Sequence, residues 1–366
     1  MAVNVLGSST DEITQQYLVG SYTVANPFTA DYGAIAVVTL IGGGGGGASG
    51  SSVFVNQTAN PSNQGAGGGG GGGARLRLVF PASMVAGASL IVGAGGTAAA
   101  AVSRTASGGI TLGASGNAGA TTQLYLPGTA GYGASAGGGS PGLLIQNGSN
   151  TNFNQQPAGG TTFWAGASSI VLSNQPGGLG GYGGYVNSNA TTLNAPLYGS
   201  NPASSSGFGQ LVNPSLGSGG GGGGGVAHPT GTGIYADGAQ GGFMAWGQTT
   251  AGSSNFAVST AATTINGIAG GTATGFASPY GGAGGSGGGP AVRGASYPIS
   301  SGTDLVIAGN GSAGQFPGGG GGGGGLAANG STPTGGSSTV TSGAGGKGAD
   351  GVCLITWYRK APSNFA

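Results

Sequence analysis

Few residues in this chain can do chemistry. Its acids are Asp11, Glu12, Asp31, Asp237, Asp304 and Asp350, and it holds one histidine, His228, and one cysteine, Cys353. Two carboxylates placed across a sugar would make a glycoside hydrolase, and such a hydrolase is the enzymatic alternative the acids leave open. Asp237 and Asp350 each precede a glycine, however, and read as turn residues. His228 stands before Pro229 at the end of a glycine run and reads as a loop residue. Cys353 sits in an apolar stretch and reads as a small buried side chain. One cysteine excludes a disulfide framework and a multi-cysteine zinc site. Gly-x-Gly-x-x-Gly recurs because about every fourth residue is glycine, and no copy lies in a strand–turn–helix unit followed by an acid. A phosphate-binding Gly-Lys-Ser/Thr ending is absent, since Gly348 follows Lys347. The expectation is a protein without catalytic residues, cofactor or metal.

Recognition is the better use of what remains. Aromatic rings beside uncharged hydrogen-bonding groups suit carbohydrate or protein contact. The candidates are Phe163, Trp164, Tyr182, Tyr185, Tyr198, Tyr235 and Trp246, with Phe243 beside the last. Each has a blander role open to it, filling a small apolar layer or capping a glycine segment. Between Arg104 and Asp237 the chain has no acid or base except His228. A free protein ordinarily keeps soluble through charge, so this stretch suits a protein held in a larger particle or exposed outside a cell.

The elements that must carry these residues follow from composition. Of 366 residues, 94 are glycine and 17 proline, while seven are basic and six acidic, for a net charge of +1. So much glycine suggests low complexity. Disorder, though, also needs charge and low hydrophobicity, and here mean hydropathy is +0.12. The composition therefore reads as an ordered fold built from glycine. Seven scattered basic residues make no basic patch, so no nucleic-acid partner is expected. The start, Met1 to Ser8, lacks the basic and apolar regions of a signal peptide. The apolar stretch from Ala82 to Val102 contains Gly87, Gly93, Gly95 and Gly96; it reads as a strand and a glycine turn, not as a membrane span.

Four unbroken glycine runs punctuate the chain, at 42–47, 67–73, 219–225 and 318–325. Shorter clusters lie at 137–139, at 177–184 interrupted by Leu179 and Tyr182, and at 281–289 interrupted by Ala283 and Ser286. A glycine run is either a flexible linker or a three-per-turn extended helix rising about 3.1 Å per residue. The second has no internal hydrogen bonds and is stable only when neighbours supply them. Ordering each residue costs about 1–2 kcal/mol, most for glycine. Four runs between apolar strands favour a cooperative bundle. The strand signals are Ala34–Ile41, Arg75–Phe80 with period two, Ser89–Val92 and Val352–Tyr358. No sustained 3.6 period occurs. The expected fold class is all-β and irregular: short strands flanking a sandwich of polyglycine-II helices, with almost no α-helix.

The order of these landmarks resembles the glycine-rich domain of bacteriophage tail and virion proteins. Val38-Thr39-Leu40-Ile41-Gly42 runs into polyglycine, Leu90-Ile91-Val92-Gly93-Ala94-Gly95-Gly96 follows a second strand, and Gly348-Ala349-Asp350-Gly351 leads into the last. The chain is also similar in style to the polyglycine-helix adhesins of phage tail fibres, which display variable loops. The resemblance implies a non-enzymatic virion protein, made in the host cytoplasm, at a tail tip or fibre and contacting a host-surface glycan or protein. A purely structural component, a head decoration or a fibre shaft, is the alternative. Phage fibres suggest by analogy a homotrimer, while a glycine bundle can also close within one chain. Residues 1–33, with Asp11, Glu12 and Asp31, form a candidate attachment segment for other virion proteins; an edge strand of the same domain is the competing reading. The remainder, 34–366, is the glycine-rich domain.

Overall fold

The computed structural model describes residues 3–8, 11–28, 34–54, 65–105, 109–128, 133–144, 156–186, 193–194, 220, 223–224, 226–227, 234–235, 238, 257–259, 264–271, 281–293, 303–330 and 337–359. These are all-β, with several sheets; the helical pieces among them are the single turn Ala82–Val85 and the 3-10 turn Ser168–Ile170. Three layers succeed one another: a β-sandwich, a bundle of extended glycine rods and a second set of sheets. We call the sandwich end proximal and the opposite end distal.

The sandwich forms from two kinds of strand: Ile35–Ile41 and Val352–Tyr358 are near-continuous apolar runs buried on both faces, while Arg75–Pro81, Ser89–Val92, Thr122–Tyr125 and Gly133–Ala136 alternate between buried and more exposed positions. One sheet has six strands in the order Val3–Ser8, Glu12–Tyr17, Val352–Tyr358, Ile35–Ile41, Arg75–Pro81 and Val171–Gln175. The facing sheet has five, in the order Thr162–Trp164, Gly133–Ala136, Thr122–Tyr125, Ser89–Val92 and Gly20–Thr23. Both are antiparallel throughout. Val38, Leu40, Leu76, Leu78, Phe80 and Trp357 from the first meet Leu90, Val92 and Leu124 from the second in one buried core. Phe80 and Trp164 pack edge to face across it, with centroids 5.5 Å apart. Residues 12–28 belong to this sandwich: Tyr17 and Val24 are core residues, and Glu12–Tyr17 pairs with Val352–Tyr358 along its length. Within the described part of the N-terminal segment, the edge strand is Val3–Ser8.

The strand Ile35–Ile41 continues without a turn into the rod 42–51, whose backbone bonding repeats every three residues. Gly42, Gly45 and Ala48 donate their N–H groups to Ala74, Gly71 and Gly68. Gly43, Gly46 and Ser49 donate to Ala120, Asn117 and Ala114, and Gly44, Gly47 and Gly50 to Ala349, Gly346 and Gly343. Each set descends the partner by threes, so these three neighbours run antiparallel. The rod's carbonyls accept from three others that run parallel: Gly43 and Gly46 from Gly139 and Gly142, Gly44 and Gly47 from Gly96 and Ala99, Gly45 and Ala48 from Gly321 and Gly324. This is the three-per-turn helix with its donors and acceptors satisfied laterally.

The runs at 67–73 and 318–325 are surrounded in the same way. Rod 65–74 donates to 178–184, 318–324 and 137–143, and accepts from 42–51, Gly160 and the pair Gly220 and Gly223. Of the run 219–225, Gly220, Gly223 and Gly224 are described, and they bond to Gly70, Gly67 and Gly288. Among the described run glycines only Gly318, at the turn after Phe316–Pro317, has a left-handed φ. Glycine is required here by space. A Cβ on Gly43 would lie 2.2 Å from the Ala94 carbonyl oxygen, on Gly45 2.0 Å from that of Ser140, and on Gly322 2.1 Å from that of Ser286. The hydrogen standing in that place points at the oxygen, a weak Cα–H···O contact added to each rod's N–H bonds.

Glycine-poor segments are rods too, which corrects two expectations. Residues 93–102 form no turn; they run straight on from Ser89–Val92, with Gly93, Gly96 and Ala99 buried at every third position. Asp350 is no turn residue either. It lies in the rod 342–351, which runs directly into Val352–Tyr358, and its Oδ1 accepts the Gly95 N–H at 2.8 Å. The physical reason is position in the lattice. An outer rod touches neighbours on one side, so only the row facing inward must be glycine or, as at Ala99, another very small residue. In rod 112–121 that row is Gly113, Gly116 and Gly119, whose Cβ atoms would meet the carbonyls of Ser49, Gly46 and Gly43.

The rods join the two β ends. At the proximal junction, Thr122 donates its hydroxyl to the Ile41 carbonyl and accepts the Gly93 N–H. At the distal end Ser52–Phe54, Ala291–Arg293 and Ala327–Asn329 pair in parallel, as do Thr264–Asn266, Thr303–Ile307 and Ser337–Thr341. Ser52 and Ser342 exchange side-chain hydrogen bonds with the Val102 backbone there. Small cores of Val53, Val292, Leu326 and Ala328, and of Phe54, Ile265, Val306 and Val340, seal this end.

The lattice makes a direct prediction. Gly45→Ala and Gly322→Ala each destabilise the protein by at least about 3 kcal/mol in urea unfolding, the upper range for overpacking. Ala118→Ser, on the exposed side of an outer rod, stays within about 0.5 kcal/mol of the wild type.

Candidate recognition surfaces

Among the described residues, the aromatic candidates do not gather into one site. Phe163 and Trp164 belong to Thr162–Trp164, the edge strand of the proximal five-stranded sheet. Phe163 points outward and is 60% exposed. Trp164 points the other way, against Phe80, and its indole N–H donates to the Ala167 carbonyl at 3.0 Å. It therefore packs against the core, with one polar atom kept satisfied.

Tyr182 lies toward the other end, in the rod 176–184. Pro176, Leu179 and Tyr182 follow one another by threes, with Leu179 exposed and Tyr182 half-buried, while the glycines between them are buried. The interruptions of that glycine cluster are thus its outer row. Tyr185 is in the strand Tyr185–Val186 and Tyr235 in Ile234–Tyr235, which pairs with Val226–Ala227. Both strands lie distally, close to Gly184, whose carbonyl accepts the Ala66 N–H, and to Gly223, which donates to the Gly67 carbonyl. Tyr198 and Trp246 fall outside the described residues, as do Phe243, His228, Asp237 and Asp31.

The remaining acids are dispersed. Asp11 and Glu12 lie at the turn into Glu12–Tyr17, where the Asp11 carbonyl accepts the Arg359 N–H. Asp304 is on the distal strand Thr303–Ile307. Asp350 gives one oxygen to both the Gly95 N–H and the Lys347 ammonium, the latter at 3.5 Å. Its carboxylate is engaged in holding rod 342–351 against rod 93–102. Among the described residues no three of His, Cys, Asp and Glu come together. No helix among them is long and apolar enough to cross a membrane.

Cys353 is fully buried in the central strand of the six-stranded sheet, opposite Leu40 and Tyr17. Desolvation pushes its thiol well above the ordinary range. Tyr17 is raised too, by burial first and then by Cys353 and Tyr22. Gln15 ties this region together, its Oε1 accepting from the Tyr17 hydroxyl at 2.9 Å and the Trp357 indole N–H at 2.8 Å. A thiol held neutral and enclosed is no nucleophile.

Sequence reasoning missed one surface. The five-stranded sheet buries Leu90, Val92, Leu124, Ala134 and Ala136 and turns its other face to solvent. That face carries Ile91, Gln123, Tyr125 and Ser135 beside Phe163. The signal that could have found it is the alternation Thr122-Gln123-Leu124-Tyr125, whose even and odd positions go to opposite faces.

Because Cys353 opens to solvent only when the sandwich does, its reaction with an aromatic disulfide reagent should be at least about a thousand-fold slower in the folded protein than in denaturant. Rapid labelling under native conditions would contradict the described burial.

No family model and no curated protein matches the chain.

Proposed function

We propose that the protein is a non-enzymatic bacteriophage virion component, at a tail tip or tail fibre, that presents uncharged connections to a host-surface glycan or protein. The observation that carries the reading is the arrangement of rods between two unlike ends. One end is the β-sandwich, which contains the N-terminal strands. At the other, Phe54, Val186, Arg293 and Asn329 stand where the chain leaves the described rods and strands. These points belong to hydrogen-bonded rods and strands, and a stiff base of this kind lowers the ordering cost of binding for whatever it presents.

The resemblance adds support in its landmarks. Val38–Gly42, Leu90–Gly96 and Gly348–Gly351 are each a junction between a sandwich strand and a rod. The N-terminal edge strand Val3–Ser8, with Val3 and Val5 exposed, suits attachment to a neighbouring virion protein by strand addition. A purely structural role, with the distal end packed against other subunits, is the second reading; the scarcity of charge favours it equally, since a buried surface needs none.

Two measurements separate these readings. Mass spectrometry and immunogold labelling of purified particles should find the chain in the virion, at the tail; its absence from particles would remove the proposal. Purified protein should be retained by host cells or isolated envelope. If neither retains it while particles contain it, the structural reading stands and the receptor role is lost.

A further inference from the structure

The outer face of the five-stranded sheet has the make-up of a binding platform. Strand register places Ser21, Ile91, Gln123, Ser135 and Phe163 side by side in one row across all five strands. Tyr125 stands two residues beyond Gln123, on the same face. Phe163 is 60% exposed, Tyr125 43% and Ile91 39%. An exposed sheet face ordinarily alternates in polar and charged residues, and a soluble surface is about a quarter to a third charged. This face has no charged side chain; between its apolar residues stand a glutamine and serines.

The geometry points to this face as a binding site for a neutral polysaccharide. Three features choose that occupant. First, the ring side chains of Tyr125 and Phe163 offer apolar area of the kind that packs against the CH-rich faces of sugars, and Gln123, Ser21 and Ser135 supply both donors and acceptors for hydroxyl groups. Second, the Tyr125 hydroxyl donates to Gln123 Oε1 at 2.9 Å, so the phenol and the amide are held relative to each other before anything binds, which lowers the cost of binding. Third, the face is small. Five strands at about 4.8 Å spacing and four residues at about 3.4 Å cover roughly 300 Å², well short of the about 800 Å² per partner of a stable protein interface. Tyr125 and Phe163 are two strands and two residues apart, about 12 Å by the same spacings, a separation that spans more than one sugar ring. Without fixed charge, the face offers nothing to neutralise a polyanion.

The inference deepens the recognition half of the proposed function and is independent of the virion half. It moves sugar contact to the proximal sheet, away from the distal connections. The test uses the purified full chain in affinity electrophoresis and calorimetry with dextran, laminarin, galactomannan and chitin oligosaccharides as neutral probes and alginate as an anionic one. At least one neutral probe is expected to bind, and alginate is not. Phe163→Ala and Tyr125→Ala should each weaken binding at least ten-fold. Tyr125→Phe, which keeps the ring and loses the bond to Gln123, should weaken it by a smaller factor. Leu112→Ala, an exposed apolar residue off this face, should change nothing. All these side chains point to solvent, and an unchanged melting transition shows that the variants fold. Failure of every neutral probe, or binding that Phe163→Ala and Tyr125→Ala leave intact, overturns the inference. So does a dimer dispersed by Phe163→Ala, which would assign the face to a second copy of the chain. Absence of the protein from particles would leave the inference standing while removing the virion proposal.

Discussion

The structure depends on the contact between bare backbones. A three-per-turn extended helix leaves every N–H and C=O pointing sideways, and only another backbone at close range can meet them. That range is set by carbonyl oxygens lying about where a Cβ would stand, near 2 Å from it at Gly43, Gly45 and Gly322. A net hydrogen bond is worth roughly 1 kcal/mol, while ordering a glycine costs about 1–2 kcal/mol. One rod alone therefore cannot hold itself straight. Enclosure by neighbours on every side, as around 42–51, multiplies the contacts each residue makes, and apolar strands at both ends fix the register. The bundle is cooperative by necessity.

This constraint explains why glycine content varies along the chain. Rods with neighbours all round, 42–47, 67–73 and 318–325, are unbroken glycine. Rod 176–184 keeps two glycines in three and spends the third position on Pro176, Leu179 and Tyr182. Rod 112–121 keeps one in three. Rod 342–351 carries Lys347 and Asp350 outward and uses the carboxylate to bond the next rod. Large side chains appear where the lattice ends, while alanine and serine, as at Ala48, Ser49 and Ser286, are buried within rods.

Much of the fold was open to reading for this reason. The strands Ile35–Ile41, Ser89–Val92 and Val352–Tyr358 stand out as short apolar runs and Arg75–Pro81 by alternation, and unbroken glycine runs between them call for mutual support. The outer rods were harder. Residues 93–102 and 342–351 contain alanine, threonine, lysine and aspartate, and nothing local separates a rod of that composition from a turn; the spacing by threes has meaning only once a central rod faces it. The aromatic residues were harder still. Phe163 and Trp164 are adjacent, yet one faces solvent and the other the core, because strand alternation and not residue type decides. Tyr125 drew no notice, since its significance lies in register with Gln123 and Phe163 across strands far apart in sequence.

The central claim is that the glycine runs are structural members, locked at the level of the whole fold. Residue-resolved amide hydrogen exchange of the intact protein tests it most directly. The amides of Gly43 to Gly50 should exchange as slowly as those of Val38 and Ile355 in the sandwich, through global unfolding alone. Exchange of those glycines at the rate of an unstructured chain, while the strands stay protected, would contradict the account and make the runs linkers.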